Sequence, residues 1–273
     1  MNGRILAALI SLTVTGCPRD REQPLTVEQA TQALEEATAA SEAEALTGSS
    51  VDIATRFTFG QGVERAVAEL RDVLAAEIPC AETALDAGTL TVEYGAREGN
   101  CSYHGQSLSG VSKISVAYNE PNRVRVDHEW IALTNGRVRL DGTAEVTWDE
   151  LARTRHVVHE ATWTHLASGR VLHGSGDRTQ TPLAGGLAEG IQVEGTRSWE
   201  AARGTWDLVI DDVQMRWSDP VPQSGSYTLS TPFARSLRLS FGRVDDDTIS
   251  VTVNGPRRSF DFTVSSDGKI RRD

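Results

Sequence analysis

The strongest constraint on this chain is a change of hydrophobic period near Thr89, after which apolar residues recur at every second position. Ile114, Val116 and Tyr118 alternate with polar neighbours, as do Val124, Val126, His128 and Trp130. Val138, Leu140, Ala144, Val146 and Trp148 alternate with Arg137, Arg139, Asp141, Glu145 and Asp149. Period two sends successive side chains to opposite sides of a strand, so each run has one apolar face and one wet face. Turn signals separate the runs. Asn135-Gly136 and Asn254-Gly255 predict two-residue hairpins with both residues at φ > 0. Ala167-Ser168-Gly169, Ala201-Ala202-Arg203-Gly204 and Ser265-Ser266-Asp267-Gly268 read as slightly longer turns. Roughly ten such strands joined by short turns make an antiparallel meander. Its apolar face needs a cover, so the sheet either curls towards a half-barrel or barrel or folds over as a sandwich.

The segment before the sheet has a helical period. Val27, Ala30, Ala33, Leu34, Ala37 and Ala40 recur at helical spacing from Thr26 to about Leu46, with acidic residues opposite and Gly48-Ser49-Ser50 as the stop. Val63, Val67, Leu70, Leu74 and Ile78 form the stripe of a second helix, which ends at Pro79. Residues 51–60 carry no decisive pattern. The second helix is the expected cover for the sheet. The fold class is therefore α+β, mostly β, with N-terminal helices followed by a large antiparallel meander sheet.

Ahead of the helices, Arg4 precedes an apolar run from Ile5 to Val14. Spanning a bilayer takes about 20 apolar residues in a helix, so this run reads as a cleaved leader. Val14-Thr15-Gly16-Cys17 resembles the bacterial lipobox, in which the cysteine thiol is diacylglycerylated before cleavage. Lipid on Cys17 supplies more than one acyl chain, as stable anchoring requires. The expected divisions are a lipoprotein signal peptide at 1–16, a tether at 17–25, a helical segment at 26–80 and an antiparallel β domain at 81–273. Two cysteines then remain. In an oxidising compartment Cys80 and Cys101 are most simply a disulfide, since neither sits in a Cys-x-x-Cys motif. Pro18, where an Asp would mark inner-membrane retention, favours the outer membrane, with the domain facing periplasm or exterior.

The succession from Thr89 to Gly95 (TLTVEYG), Cys101, Gly105 and Leu108-Ser109-Gly110, then Asp141-Gly142-Thr143 to Thr147-Trp148 and Gly195-Thr196 to Trp199, resembles a group of exported bacterial lipoproteins of unknown function. These share a TV.YG opening, a cysteine, a G..L.G element and a β-meander with repeated G-T strands. The likeness covers roughly residues 85–215 and rests on structural glycines and turn residues. It implies the fold and the address, and brings no catalytic residues with it.

Chemistry-bearing patterns are sparse. A formal net charge of −11 argues against nucleic acid as a partner. His156 and His159, spaced i, i+3 on a strand, point to opposite faces, unlike the i, i+4 helical pair of HExxH. His159 and His165 share a face but stand roughly 20 Å apart along a strand. A cross-strand partner such as His128 is the remaining route to a shared site, and His104 and His173 lie in no metal-ligand spacing. Gly174-Ser175-Gly176-Asp177 is not followed by a helix, so it is not a nucleophile elbow. Asp211-Asp212 and Asp245-Asp246-Asp247 lack calcium-loop spacing. Trp130 and Trp148 continue apolar stripes and read as core. No cofactor, metal or enzymatic activity is expected. The leading expectation is a membrane-anchored structural or interaction module meeting an envelope protein. The alternative is a carrier or chaperone for a lipid or other apolar ligand held in a curled sheet, which requires an unfilled cavity lined by the apolar stripes.

Overall fold

Wherever the sequence alternates, the chain is strand. The structure, a computed structural model, describes residues 23–233 and 235–272. Cys17 and the expected leader lie outside the described residues. Two helices come first, α1 (Val27–Ile53) and α2 (Val63–Glu77). Strands follow: β1 (Glu82–Asp86), β2 (Thr89–Tyr94), β3 (Ser102–Tyr103), β4 (Gln106–Ser107), β5 (Ser109–Asn119), β6 (Arg123–Thr134), β7 (Val138–Asp149) and β8 (Thr154–His165). The chain continues through β9 (Arg170–Leu183), β10 (Gly186–Ala201), β11 (Gly204–Arg216), β12 (Ser224–Thr231), β13 (Arg235–Arg243), β14 (Thr248–Gly255), β15 (Arg258–Ser265) and β16 (Ile270–Arg272). All but β3 and β4 join one 14-stranded antiparallel sheet in chain order. Among the described residues β1 pairs only with β2 and β16 only with β15, so the sheet is not closed. The fold is α+β and mostly β. The strands outnumber the roughly ten expected, in part because β3, β4 and β16 are too short to show an alternating pattern.

The sheet is bent by bulges. In β6 the register slips between Trp130 and Leu133, and Ala132 takes φ +50 with its N–H donated to Asp141 Oδ1 at 2.7 Å. In β11 it slips between Asp211 and Gln214, where Asp212 also takes φ +50 and accepts from Gln192 Nε2 at 2.6 Å. An extra unpaired residue sharpens the local twist and turns a flat ribbon into a curl.

What fills the curl is α1, not α2 as the sequence suggested. Thr26 and Gln29 form a capping box at its start. From Glu36 to Ile53 every residue is buried except Ala39 and Glu42, which are half-buried. A helix wrapped on all sides needs small residues all round, so its Ala, Ser, Thr and Gly are contact surface rather than a stripe. Gly48-Ser49-Ser50 consequently does not stop the helix. A Cβ on Gly48 would stand 2.6 Å from the ring of Trp217, so the glycine admits that ring against the helix. α2 packs instead against β5 with Val67, Leu70 and Leu74 buried.

Two hairpins differ from their expected turns for visible reasons. At Asn135-Gly136 only Gly136 has φ > 0, while Asn135 Oδ1 accepts the N–H groups of Arg137 and Val138, each at 3.0 Å. Between β14 and β15 the reversal falls at Pro256-Arg257, because Gly255 is still paired with Arg258. A Cβ on Gly255 would lie 2.8 Å from Leu25 and 2.9 Å from Leu237. This glycine seats Leu25, whose N–H donates to Pro256 O at 3.1 Å as the chain enters the curl.

Candidate functional site

Strand parity places a polar group in the interior. Arg155 shares its face with Val157 and Trp163 on β8, and Arg197 shares its face with Trp199 on β10; all are buried. Register then lines up His128, Ala144, His159, Gly176 and Arg197 as one row across β6 to β10. Arg178 stands opposite Val157, and Gln180 opposite Arg155. A Cβ on Gly176 would be 2.3 Å from the ring of His159, so the imidazole lies directly over that glycine.

The acidic residues of α1 meet this surface. Glu44 pairs with Arg178, accepts from Gln180 Nε2 at 3.0 Å and lies 3.8 Å from Arg197 Nη1. Arg197 also donates to the carbonyl of Ala40, and Arg155 donates to Gln180 Oε1. Two turns towards the N-terminus, Glu36 accepts from Arg170 Nη2 at 3.0 Å and Trp199 Nε1 at 3.3 Å. Ser50 Oγ accepts from Trp130 Nε1 at 2.8 Å, and Ser41 Oγ lies 3.2 Å from Tyr227 Oη. One helix thus touches strands from β6 to β12 through polar contacts.

Burial sets the electrostatics. It pushes His128 down to about 3, helped by the charge of Arg155. It does the same to His159, helped by Arg197. His159 is neutral for a second reason: its Nδ1 accepts from Arg178 Nη2 at 2.9 Å, and a guanidinium can only donate. Arg155 and Arg197 are each lowered to about 10 by burial, and Arg178 falls well below its ordinary value through burial and the nearby Arg197. Burial also raises Glu36, against the charge of Arg170 and the Trp199 hydrogen bond.

At the C-terminal end of α1, Asp52 is gripped by the β3–β4 hairpin. Tyr103 Oη donates to Asp52 Oδ2 at 2.6 Å, and His104 Nε2 donates to the same oxygen at 2.9 Å. Arg155 Nη1 lies 3.6 Å from Asp52 Oδ1. Burial works to raise Asp52, but the His104 bond, Arg155 and the Tyr103 bond together hold it below its ordinary value. His104 stacks on Trp217 at 5.3 Å, while Gln106 Nε2 donates to Trp217 O at 2.8 Å. Cys80 and Cys101, with Cα atoms 5.3 Å apart, fasten this hairpin to the end of α2.

The remaining sequence candidates are scattered. His156 meets Asp177 on the outer face at 2.5 Å, His173 meets Thr162 at 2.8 Å, and His165 lies 3.3 Å from Glu42. His128 and His159 are separated by β7, roughly 10 Å at the usual strand spacing, which is too far to share a metal. Among the described residues no group of three or more His, Cys, Asp or Glu is placed to hold a metal ion. All six tryptophans are buried. Asp245 to Asp247 form the β13–β14 turn, with Arg243 Nη1 donating to the carbonyls of Asp245 and Asp246. An open groove of about 420 Å³ crosses the outer face between Asp141, Glu160, His173 and Glu200. The inner arginine cluster was hidden in the sequence because its members lie one on each of three strands; only their parity with Trp163 and Trp199 marked two of them as inward. No protein-family model, curated protein or solved structure matches the chain.

Proposed function

We propose that the chain is an exported envelope lipoprotein, tethered through lipid on Cys17, that works as a contact module rather than an enzyme or carrier. The observation that supports this reading is the occupied interior. α1 takes the space where an apolar ligand of a curled sheet would sit, and its carboxylates engage the inward arginines. The groups best suited to chemistry are thereby turned on one another, and what the molecule offers its surroundings is the polar outer face and two sheet edges. The address rests on the leader and on the resemblance to exported lipoproteins. Leu25, docked on the β14–β15 hairpin, follows Cys17 by only eight residues, a tether short enough to hold that end of the sheet close to a membrane.

Native mass spectrometry of the chain purified from its own envelope tests the reading. The expected mass is that of the cleaved, acylated polypeptide or a whole multiple of it, with no ligand mass added, and Cys17→Ser should move the protein out of the membrane fraction. A co-purifying lipid or other apolar molecule would replace the contact module by the carrier.

A further inference from the structure

Among the described residues β1 and β16 are each paired on one side only, and these two edge strands carry opposite charge. β1 carries Glu82 and Asp86; the chain at β16 carries Lys269, Arg271 and Arg272. β1 is exposed along most of its length, and Leu85 is 50% exposed there, an apolar side chain left half in solvent. We propose that β16 of one molecule adds to β1 of a second copy, extending the sheet from molecule to molecule.

Topology allows it. Every neighbouring pair in the 14-stranded sheet is antiparallel, so its first and last strands run in opposite directions and joining them continues the alternation. Faces fix the register. On β1, Thr83 and Leu85 stand opposite the buried Val92 and Leu90, so they lie on the inner face, and Glu82, Ala84 and Asp86 lie on the outer. On β16, Ile270 and Arg272 stand opposite the buried Val264 and Phe262, leaving Arg271 on the outer face. Opposed residues of an antiparallel pair share a face. Setting Leu85 against Ile270 therefore sets Thr83 against Arg272, Ala84 against Arg271 and Asp86 against Lys269. Leu85 gains an apolar partner, and Arg271 falls between Glu82 and Asp86.

Charge excludes the symmetric alternatives. A β1 to β1 pair would oppose Glu82 and Asp86, and a β16 to β16 pair would oppose arginines, arrangements that cost stability. Pairing unlike edges is heterologous and does not close on itself as a two-fold dimer does, so the product is a ring or an open string. Glu82 must exchange its exposed contact with Arg97 at 3.5 Å, and Lys269 its exposed contact with Asp267 at 2.5 Å, both solvent-screened surface pairs. This inference rests on the contact-module reading and names its partner. It also fails separately from that reading, because a ligand found by mass spectrometry says nothing of the edges and a monomer says nothing of ligands.

Sedimentation velocity of the full-length chain in detergent tests it at low ionic strength and at about 1 M salt, where the screening length is only about 3 Å. The expected result is a mass that rises with protein concentration at low salt and returns to monomer at high salt. The pair Lys269→Glu and Arg271→Glu, and separately the pair Glu82→Lys and Asp86→Lys, should each abolish assembly, and an equimolar mixture of the two variants should restore it. A wild-type chain that stays monomeric at low salt overturns the proposal, as does assembly that survives either reversal alone, or a mixture that stays monomeric.

Discussion

Glu44 of α1 and Arg178 of β9 form an ion pair inside the curled sheet, both almost completely buried. Gln180 and Arg197 crowd the same carboxylate. Burying two charges is costly, and their attraction in a dry interior roughly offsets that cost; removing one partner leaves the other uncompensated. Glu44→Ala should therefore destabilise the fold by about 3–5 kcal/mol. Changing both members to apolar residues of similar size, Glu44→Leu with Arg178→Met, should restore most of the loss. Chemical denaturation of the single and double variants decides between this and an additive outcome.

Acid should loosen the molecule well above the range where carboxylates titrate. His128 and His159 are held near 3 in the folded state, against about 6.5 unfolded. A base with a lowered folded value stabilises fully above its unfolded value and loses that contribution as the pH falls, because the unfolded chain takes up the proton first. The loss is about 1.4 kcal/mol per pH unit per histidine below 6.5, so about 4 kcal/mol for the two at pH 5. Melting temperatures between pH 7.5 and 5 should fall accordingly, and His128→Leu should flatten roughly half of the slope. An unchanged slope in that variant removes His128 from the account.

Gly48→Ala sets two effects against each other. Replacing a helical glycine by alanine gains about 1 kcal/mol of helix propensity. Here the added Cβ would meet the Trp217 ring at 2.6 Å, and that ring is held by its Nε1–H to Leu187 O at 2.6 Å and by stacking on His104. Overpacking of this kind costs about 1–3 kcal/mol, so the net expectation is a destabilisation, with a blue or red shift of tryptophan fluorescence reporting the displaced ring. A stabilised Gly48→Ala variant would mean that Trp217 moves freely.

Much of the sheet was legible because alternation is a local pattern: Val124 to Trp130 and Val138 to Trp148 name their strands and their inward faces without help from the rest of the chain. The occupant of the curl was not legible. A helix buried all round buries its polar side as well, so α1 read as an ordinary two-faced helix, with acidic residues opposite Val27, Ala30, Ala33, Leu34, Ala37 and Ala40, running to about Leu46 and stopped by Gly48-Ser49-Ser50. The pairing of Glu36, Glu44 and Asp52 with Arg170, Arg178 and Arg155 joins residues more than a hundred positions apart, and no spacing rule reaches that far. Gly255 read as half of a turn for a related reason, since the side chain it makes room for, Leu25, comes from the other end of the sequence.

The Cys80 to Cys101 bridge closes a loop with a sequence separation of 21, which should stabilise the fold by about 3 kcal/mol in the chain-entropy account. Its local consequence is more specific. The bridge holds Tyr103 and His104 on Asp52, the last acidic residue of α1, and the hairpin's other ties include the His104 stack on Trp217, the Tyr103 to Arg56 hydrogen bond, Gln106 to Trp217 O and to Asn135, and Leu108 N to Cys101 O. Replacing both cysteines by serine should therefore raise amide exchange first in residues 101–108 and then at the C-terminal turns of α1, while β8 to β11 stay protected. Asp52→Asn should loosen the same end of α1 with the bridge intact, since an amide cannot serve both donors and Arg155 as a carboxylate does. If exchange in the double serine variant rises evenly across the sheet, the bridge acts on global stability alone and the hairpin is not what keeps α1 in place.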